Sequence, residues 1–248
     1  MNLLADPAPS HAVVAAFSVL VVAVAGTTVA GVSAAARANG EDAWALSRRR
    51  RNVVTALAAW LAVTAVAAAS GVLANFESMP PPLMLLIVAS VLLSTALAFS
   101  RLGGLLAGSL PIAALVGFHA FRLPLELILH QLSLDGVLPV QMTYDGMNFD
   151  IATGISAVVV ALWAASGKLP RAVLLLWNLF GLALLLTIVT IAVLSTPLPL
   201  RVFMNEPANT IIATVPFVWL PTVLVQAAWI GHLLIFRRLW QGPELDRR

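Results

Sequence analysis

The 248-residue chain contains no cysteine and few charged residues. The absence of cysteine excludes disulfides, thiolate metal sites, cysteine nucleophiles and c-type haem attachment. Charged residues make up 10% of the chain and hydrophobic residues 60%, whereas soluble domains carry about 25% charged residues. The polar surface is too small to cover a water-soluble globule, which favours a membrane environment.

Long apolar runs recur along the whole chain, and about twenty apolar residues are enough for a helix to cross the hydrocarbon core. The runs do not alternate polar and apolar residues as membrane strands do. We therefore predict an all-α polytopic membrane protein: one transmembrane domain over residues 1–248, about seven helices and no separate soluble domain. The predicted spans are Ala12–Ala36, Val53–Ala74, Leu83–Phe99, a fourth beginning near Leu105, Ile151–Ala165, Ala172–Leu194 and Ile211–Phe236.

The distribution of basic residues predicts the orientation. If Arg48–Arg51 are cytoplasmic, seven spans place twelve of the fourteen Lys and Arg residues inside, and only Arg122 and Arg201 outside. Asp6 is then among the acidic residues outside, and Arg247 and Arg248 are inside. This bias predicts an exported N-terminus and a cytoplasmic C-terminus, in a bacterial-type plasma (inner) membrane.

The ends and the basic loops also indicate what the chain meets. The stretch MNLLADPAPSH has no Lys or Arg, so we expect the first span to be retained rather than cleaved as a signal peptide. The isoelectric point is near 10.5, but the basic residues lie in short loops between spans, where orientation signals belong. We therefore predict the lipid bilayer as a partner, and no nucleic acid.

The stretch FHAFRLPLELILHQL is unusually polar for this chain, with His119, Arg122, Glu126 and His130 within twelve positions. On one continuous helix these four side chains fall within an arc of about 80°. Pro124 interrupts the stretch and leaves two alternatives. Either the helix continues outward with a kink, or a second short amphipathic helix begins near Pro124 and lies along the outer interface.

Two further polar segments, Met142–Asp150 and Arg201–Thr210, are predicted on the same outer side. Together the three segments predict a polar pocket at the extracytoplasmic surface. Its candidate ligand-binding residues are His119, Arg122, Glu126, His130, Asp145, Asn148, Asp150, Arg201, Asn205 and Glu206. A structural alternative explains several of them: Asp150 and Asn209 as helix N-caps, and Arg122 with Glu126 as a surface ion pair.

Three classes of function remain open. The first is binding or transport of a small polar ligand, an ion or a lipid headgroup by Glu126, His130, Asp150, Arg201 and Glu206. The second is an enzyme acting on a lipid or envelope precursor, with Glu126 or His130 as general base and Arg122 or Arg201 holding an anionic group. The third is an accessory or scaffold subunit. No G-x-S-x-G motif is present, and catalytic residues are not assigned.

No metal or other cofactor is favoured. Glu126 and His130 supply only two ligands, and His232 is predicted near the cytoplasmic end, where it pairs with Asn178, far from His119. In outline, the seven spans with scattered His and Asp resemble seven-span membrane hydrolases that hold zinc with three His, an Asp and a Ser. No residue is carried over from that family, because His232 is predicted on the wrong side.

Overall fold

A computed structural model describes residues 7–241, in which helices are joined by turns and irregular segments and no strand is present. The predicted all-α class is confirmed. Six helices in the described residues are long and apolar enough to cross a membrane: His11–Ala38, Ala43–Ala69, Pro82–Phe99, Ile112–Leu134, Arg171–Ser195 and Leu220–Trp240. The apolar helix Ile151–Ala165 is shorter. Asp6, Arg247 and Arg248, used above for orientation, lie outside the described residues.

The regular helices number nine within residues 7–241. In chain order they are α1 His11–Ala38, α2 Ala43–Ala69, α3 Pro82–Phe99, α4 Arg101–Ser109, α5 Ile112–Gly117, α6 Arg122–Leu134, α7 Ile151–Ala165, α8 Arg171–Ser195 and α9 Val225–Trp240. A 3₁₀ turn, Phe118–Phe121, joins α5 to α6, and a π turn, Leu220–Leu224, leads into α9.

Capping residues move two helix starts away from the predicted positions. The Asp42 carboxylate accepts a hydrogen bond from the backbone N–H of Ala45 at 2.7 Å, so α2 begins at Ala43 and Arg48–Arg51 lie on the helix rather than in a loop. The fourth span begins at Ile112 instead of Leu105, because Pro111 lacks an N–H and separates α4 from α5.

Pro124 does not break the fourth span. The helix runs from Ile112 to Leu134, and the turn before Pro124 tightens to 3₁₀ geometry, which accommodates the N–H that proline lacks. The continuous alternative is therefore the observed one. The last span begins at Leu220 rather than Ile211, and Pro216 lies in a turn before it instead of inside the helix.

Contacts between helix termini show which termini lie together at each end of the bundle. At one end, the Ser10 N–H donates to the Asp135 carboxylate at 2.8 Å, joining the start of α1 to the end of α6. At the other end, Arg237 on α9 donates to the Ala98 carbonyl at the end of α3, and Arg171 on α8 donates to the Leu239 carbonyl. The second end also carries Arg48–Arg51 at the start of α2, and we call it the basic end.

Helix α7 begins only halfway along its neighbours. An added Cβ at Gly154 would lie 2.4 Å from the Leu123 backbone nitrogen, and one at Gly117 would lie 3.4 Å from the Ala161 Cβ, so α7 runs antiparallel to α5 and α6. Its first turn therefore lies beside Arg122, in the middle of the fourth span. Residues 142–150 run into the bundle from the end opposite the basic end and reach the level of Arg122.

Candidate functional site

A layer of polar side chains separates two apolar cores inside the bundle. The core nearer the basic end includes Leu115, Leu174 and Ile235, and the other includes Leu129 and Ile188. Between them lie buried polar residues from the fourth span, from the segment before α7, from α8 and from α9: His119, Arg122, Glu126, Asn148, Asp150, Asn178 and His232. Arg122 is about 15 Å along the helix from Ile112 and about 18 Å from Leu134, so this polar layer lies midway along the span.

Arg122 is at the centre of the layer and is only 1% exposed. Its guanidinium and the Asp150 carboxylate form a two-pronged ion pair, with Nε 2.5 Å from Oδ2 and Nη2 bonded to Oδ1. Nη1 lies 3.0 Å from the His232 Nε2, and both Nη atoms donate to the Gly181 carbonyl at 3.4 Å. Arg122 thus joins the fourth span to α7, α8 and α9.

His232 is held in one tautomer by its two partners. The Asn178 amide Nδ2 donates to the His232 backbone carbonyl at 3.2 Å, which leaves the amide oxygen to accept from His232 Nδ1 at 2.8 Å. The Nε2 atom then carries no proton and accepts from Arg122. The predicted pair of Asn178 and His232 is present, and it positions the Arg122 guanidinium.

His119 packs against His232, which corrects the prediction that the two lie on opposite sides. Their ring centroids are 4.2 Å apart, and the Trp177 ring meets the His119 ring edge-on at 5.6 Å. Neither nitrogen of the buried His119 ring has a hydrogen-bond partner in the protein. Gly231 makes room for this ring, because a Cβ there would lie 2.6 Å from His119 Nε2.

Glu126 is buried next to this layer instead of pairing with Arg122 at the surface. Its Oε2 accepts a hydrogen bond from the Asn148 amide at 2.6 Å, and the same amide donates to the Met142 carbonyl. The Asn148 Oδ1 accepts from the Asp150 backbone N–H at 3.1 Å. Asn148 therefore fixes the turn that presents Asp150 to Arg122, and Asp150 does not act as the predicted side-chain N-cap.

A cavity of about 180 Å³ lies next to Glu126, Arg122 and Asp150. Most of its walls come from α3, α6, α8, α9 and the π turn, and most of the lining residues are apolar. Gln226 also lines it, and the Gln226 Oε1 has no hydrogen-bond partner in the protein. The rim includes Leu186 on α8, which is 48% exposed on the outer surface of the bundle. The cavity therefore reaches the outer surface of the bundle beside Leu186.

The remaining predicted residues lie elsewhere, so the five-residue pocket of Glu126, His130, Asp150, Arg201 and Glu206 is not a single cavity. The His130 ring stacks on Tyr144 with centroids 4.5 Å apart, and its Nδ1 is 3.4 Å from the Asp145 carboxylate. Glu126 and His130 thus point to different partners, although they are one helical turn apart.

Arg201, Asn205 and Glu206 form a separate group near the end of α8. Arg201 donates to the Glu206 carboxylate and to the Asn205 carbonyl, each at 2.9 Å. The bond from Arg201 lowers the pKa of the exposed Glu206 carboxyl. The Asn205 amide donates to the Gln141 side chain at 2.8 Å. Asn209, the other predicted N-cap, instead donates to the Ala192 carbonyl.

Three buried polar residues near the site, Asn178, Gln226 and His232, were not among the predicted ligand-binding residues. The position of each residue along its predicted span could have indicated that they belong to the site. His232 lies near the middle of Leu220–Trp240, and Asn178 is about 10 Å along α8 from Arg171. If residues on antiparallel spans are compared by their distance from the same end of the bundle, His119, Arg122 and His232 lie at one level.

The arrangement does not provide a metal centre of the kind found in the zinc hydrolases. Over residues 7–241, no three His, Cys, Asp or Glu side chains converge closely enough to hold a metal ion. His119 and His232 meet, but His130 is with Tyr144. The nitrogens of His232 already have partners in Asn178 and Arg122.

The fold and the polar layer define a class: an all-helical protein with six helices long and apolar enough to cross a membrane, and with an ion pair buried midway through the bundle. The chain belongs to the family described as Domain of unknown function (DUF8737), whose model matches residues 79–240. This region contains the polar layer and the cavity, while α1 and α2 precede it. No curated protein and no solved structure matches the chain.

Proposed function

We propose that this protein binds an amphipathic, lipid-soluble small molecule that enters the cavity sideways from the bilayer. One observation carries the proposal: a mainly apolar cavity, which reaches the outer surface of the bundle beside Leu186, is also lined by the buried polar groups Glu126 and Gln226. A ligand with an apolar body and a polar head fits both parts of this site. Ligand pockets commonly combine apolar walls with a few placed polar groups.

The size of the cavity suggests how much of the ligand it holds. A cavity of about 150 Å³ lined by Leu, Ile and Phe binds benzene, and the cavity here is about 180 Å³. It therefore accommodates a small ring or a short chain segment next to the polar layer. The rest of a longer ligand extends past Leu186 on α8 and Met84 on α3 into the lipid.

The polar groups supply the selectivity. Transfer from lipid to an aliphatic cavity gains little hydrophobic free energy, because both environments are apolar, so fit and hydrogen bonding decide binding. Arg122 is engaged by Asp150, Gly181 and His232. This disfavours the enzyme alternative in which Arg122 holds an anionic substrate, and binding or transport is the better-supported function.

The proposed orientation in the membrane is based on the basic residues at one end of the bundle. We propose seven crossings, with α7 as the short one, an exported N-terminus and the basic end in the cytoplasm of a bacterial-type plasma membrane. In this orientation the cavity lies in the extracytoplasmic half of the bundle, since its α8 wall runs from Leu185 to Thr196 near the end of that helix.

A substitution that fills the cavity tests the proposal. Ala192 lines the cavity on α8, whereas Ala183 on the same helix is exposed and does not line it. Ala192→Phe and Ala183→Phe add the same volume at these two places. We expect mass spectrometry of the purified wild type and of Ala183→Phe to detect one copurifying amphipathic compound, and the amount to fall about tenfold, or ~1.4 kcal/mol of binding free energy, in Ala192→Phe.

The same lipid spectrum in all three proteins would overturn the proposal. Melting temperatures of the three proteins are measured alongside, so that loss of the compound is separated from loss of the fold. If Ala192→Phe does not fold, Val193→Phe, at the neighbouring cavity-lining position, takes its place against the same control.

A further inference from the structure

With Glu126 ionised, the hydrogen-bonding groups of the cavity-lining residues that still lack a partner are acceptors rather than donors. A guanidinium has five N–H donors, and the Arg122 donors are directed to Asp150, to Gly181 and to His232. Glu126 has a hydrogen bond from Asn148 to one carboxylate oxygen. The Gln226 amide nitrogen donates to the Pro221 carbonyl, and its oxygen is buried without a partner. A ligand at this place must therefore supply donors.

The cavity wall also contains more acidic than basic side chains. Three ionisable side chains line it: Arg122, Glu126 and Asp150. The Arg122 guanidinium forms its two-pronged ion pair with Asp150, not with Glu126. This leaves the Glu126 carboxylate, only 1% exposed, without a cation of its own. A buried carboxyl group without a counter-charge favours its neutral form, and a bound cation allows it to ionise, so the site favours a positively charged occupant.

We propose that the ligand class of this cavity is the lipophilic amines, held by an ammonium group between the Glu126 carboxylate and the Gln226 amide oxygen. An ammonium group has three N–H donors and no acceptor, so it can donate to both acceptors on the wall. Its charge balances Glu126, and its alkyl chain lies along the aliphatic walls. This inference rests on the proposed function, because it names the chemistry of the molecule that enters the same cavity.

Three matched photoreactive probes test the charge preference. Each carries a diazirine on a ten-carbon chain, and the heads are a primary amine, an alcohol and a carboxylate. The full-length protein is embedded in nanodiscs of phosphatidylcholine, illuminated with each probe, and digested for mass spectrometry. We expect the amine to label the cavity-lining segments 84–91, 186–196 and 220–229 about tenfold more than the alcohol or the carboxylate, as for a hydrogen bond between charged groups.

Substitutions of the two residues proposed to bind the ammonium group give a second test. Glu126→Gln keeps the shape and the acceptor for Asn148 but removes the charge, and we expect amine labelling to fall to the level of the alcohol. Glu77→Gln removes an exposed carboxylate outside the cavity and is expected to leave labelling unchanged. Gln226→Met removes the amide oxygen at similar size and is expected to reduce amine labelling while leaving alcohol labelling less affected.

The outcomes separate this inference from the proposed function. Equal labelling of the cavity by the three probes, with labelling blocked by Ala192→Phe, would overturn the amine preference and leave the proposed function standing. Stronger labelling by the alcohol or the carboxylate would also overturn it. Failure of every probe to label the cavity in the wild type would contradict both. The comparison of the three heads needs only the wild type, so it holds even if Glu126→Gln does not fold.

Discussion

At the scale of single residues, Arg122 and Asp150 form an ion pair buried in the middle of the bundle. Both side chains are almost fully buried, and Arg122 also makes bonds to α8 and α9. A buried ion pair contributes little compared with a well-packed apolar pair, but losing one partner leaves an uncompensated charge, which costs ~3–5 kcal/mol. The pair therefore fixes the register of α6 against α7 rather than adding bulk stability.

A double-mutant cycle measures this coupling. We expect Arg122→Met and Asp150→Asn each to lower the free energy of unfolding by ~3–5 kcal/mol, and the double variant to lose less than their sum. Asp145→Asn, in the same segment but exposed, is the control and is expected to change stability by less than ~0.5 kcal/mol. Denaturant titration of the protein in detergent gives all four values. Additive effects of the two substitutions would show that the pair is not coupled.

The residues of this pair were predicted as candidates, but their partnership was not. Arg122 and Asp150 are 28 positions apart, and helical periodicity relates only residues three or four positions apart. The spacing of Arg122 and Glu126 favoured an ion pair within one helix. The observed pair depends on where α7 begins, which is set by the irregular segment held by Asn148. Helical periodicity does not indicate how far an irregular segment extends into the bundle.

At the scale of helices, the crossing of α6 and α7 depends on Gly154. An added Cβ there would lie 2.4 Å from the Leu123 nitrogen and 2.9 Å from its Cα. These are backbone atoms, so a rotamer change cannot relieve the overlap, and the helices must separate. That separation would pull Asp150 away from Arg122, since Asp150 immediately precedes α7.

We therefore expect Gly154→Ala to lower the free energy of unfolding by ~1–3 kcal/mol, the usual cost of overpacking. Gly26 on α1 is the matched control, because nothing lies within 4 Å of an added Cβ there. Gly26→Ala should be neutral or stabilising by ~0.5–1 kcal/mol, since alanine is the better helix former. Thermal unfolding of both variants in the same detergent tests the difference, and equal melting temperatures would contradict the close-packing argument.

Helix existence was easier to predict than helix ends. The apolar runs located each of the long helices, because length and hydropathy are sufficient for that. The ends depend on single side chains and prolines: Asp42 extends α2 beyond its apolar part, and Pro111 separates α4 from the fourth span. The apolar stretch from Ile211 reads as one span with the helix that follows, but only the part from Leu220 is helical throughout.

At the scale of the whole molecule, the arrangement of charge follows from the two ends of the bundle. Arg237 binds the carbonyls of Ala98 and Ser100 at the exposed end of α3, and Arg171 binds the Leu239 carbonyl at the end of α9. Cations near helix C-termini are favourable because they satisfy the last carbonyls and interact with the helix dipole. The basic residues thus stabilise one end of the fold, and their position also agrees with a cytoplasmic location.

The absence of cysteine allows the proposed topology to be tested with single labels. Asp145 precedes α7 and Ser166 follows it, both outside the bundle core, and Arg48 lies at the basic end. If α7 crosses the membrane and the basic end is cytoplasmic, an impermeant maleimide added to whole cells should label Asp145→Cys, and should label Ser166→Cys and Arg48→Cys only after permeabilisation. Labelling of Ser166→Cys together with Asp145→Cys would mean that α7 does not cross and that the chain has six spans. Labelling of Arg48→Cys in intact cells, with Asp145→Cys protected, would reverse the orientation and move the cavity to the cytoplasmic half of the bundle.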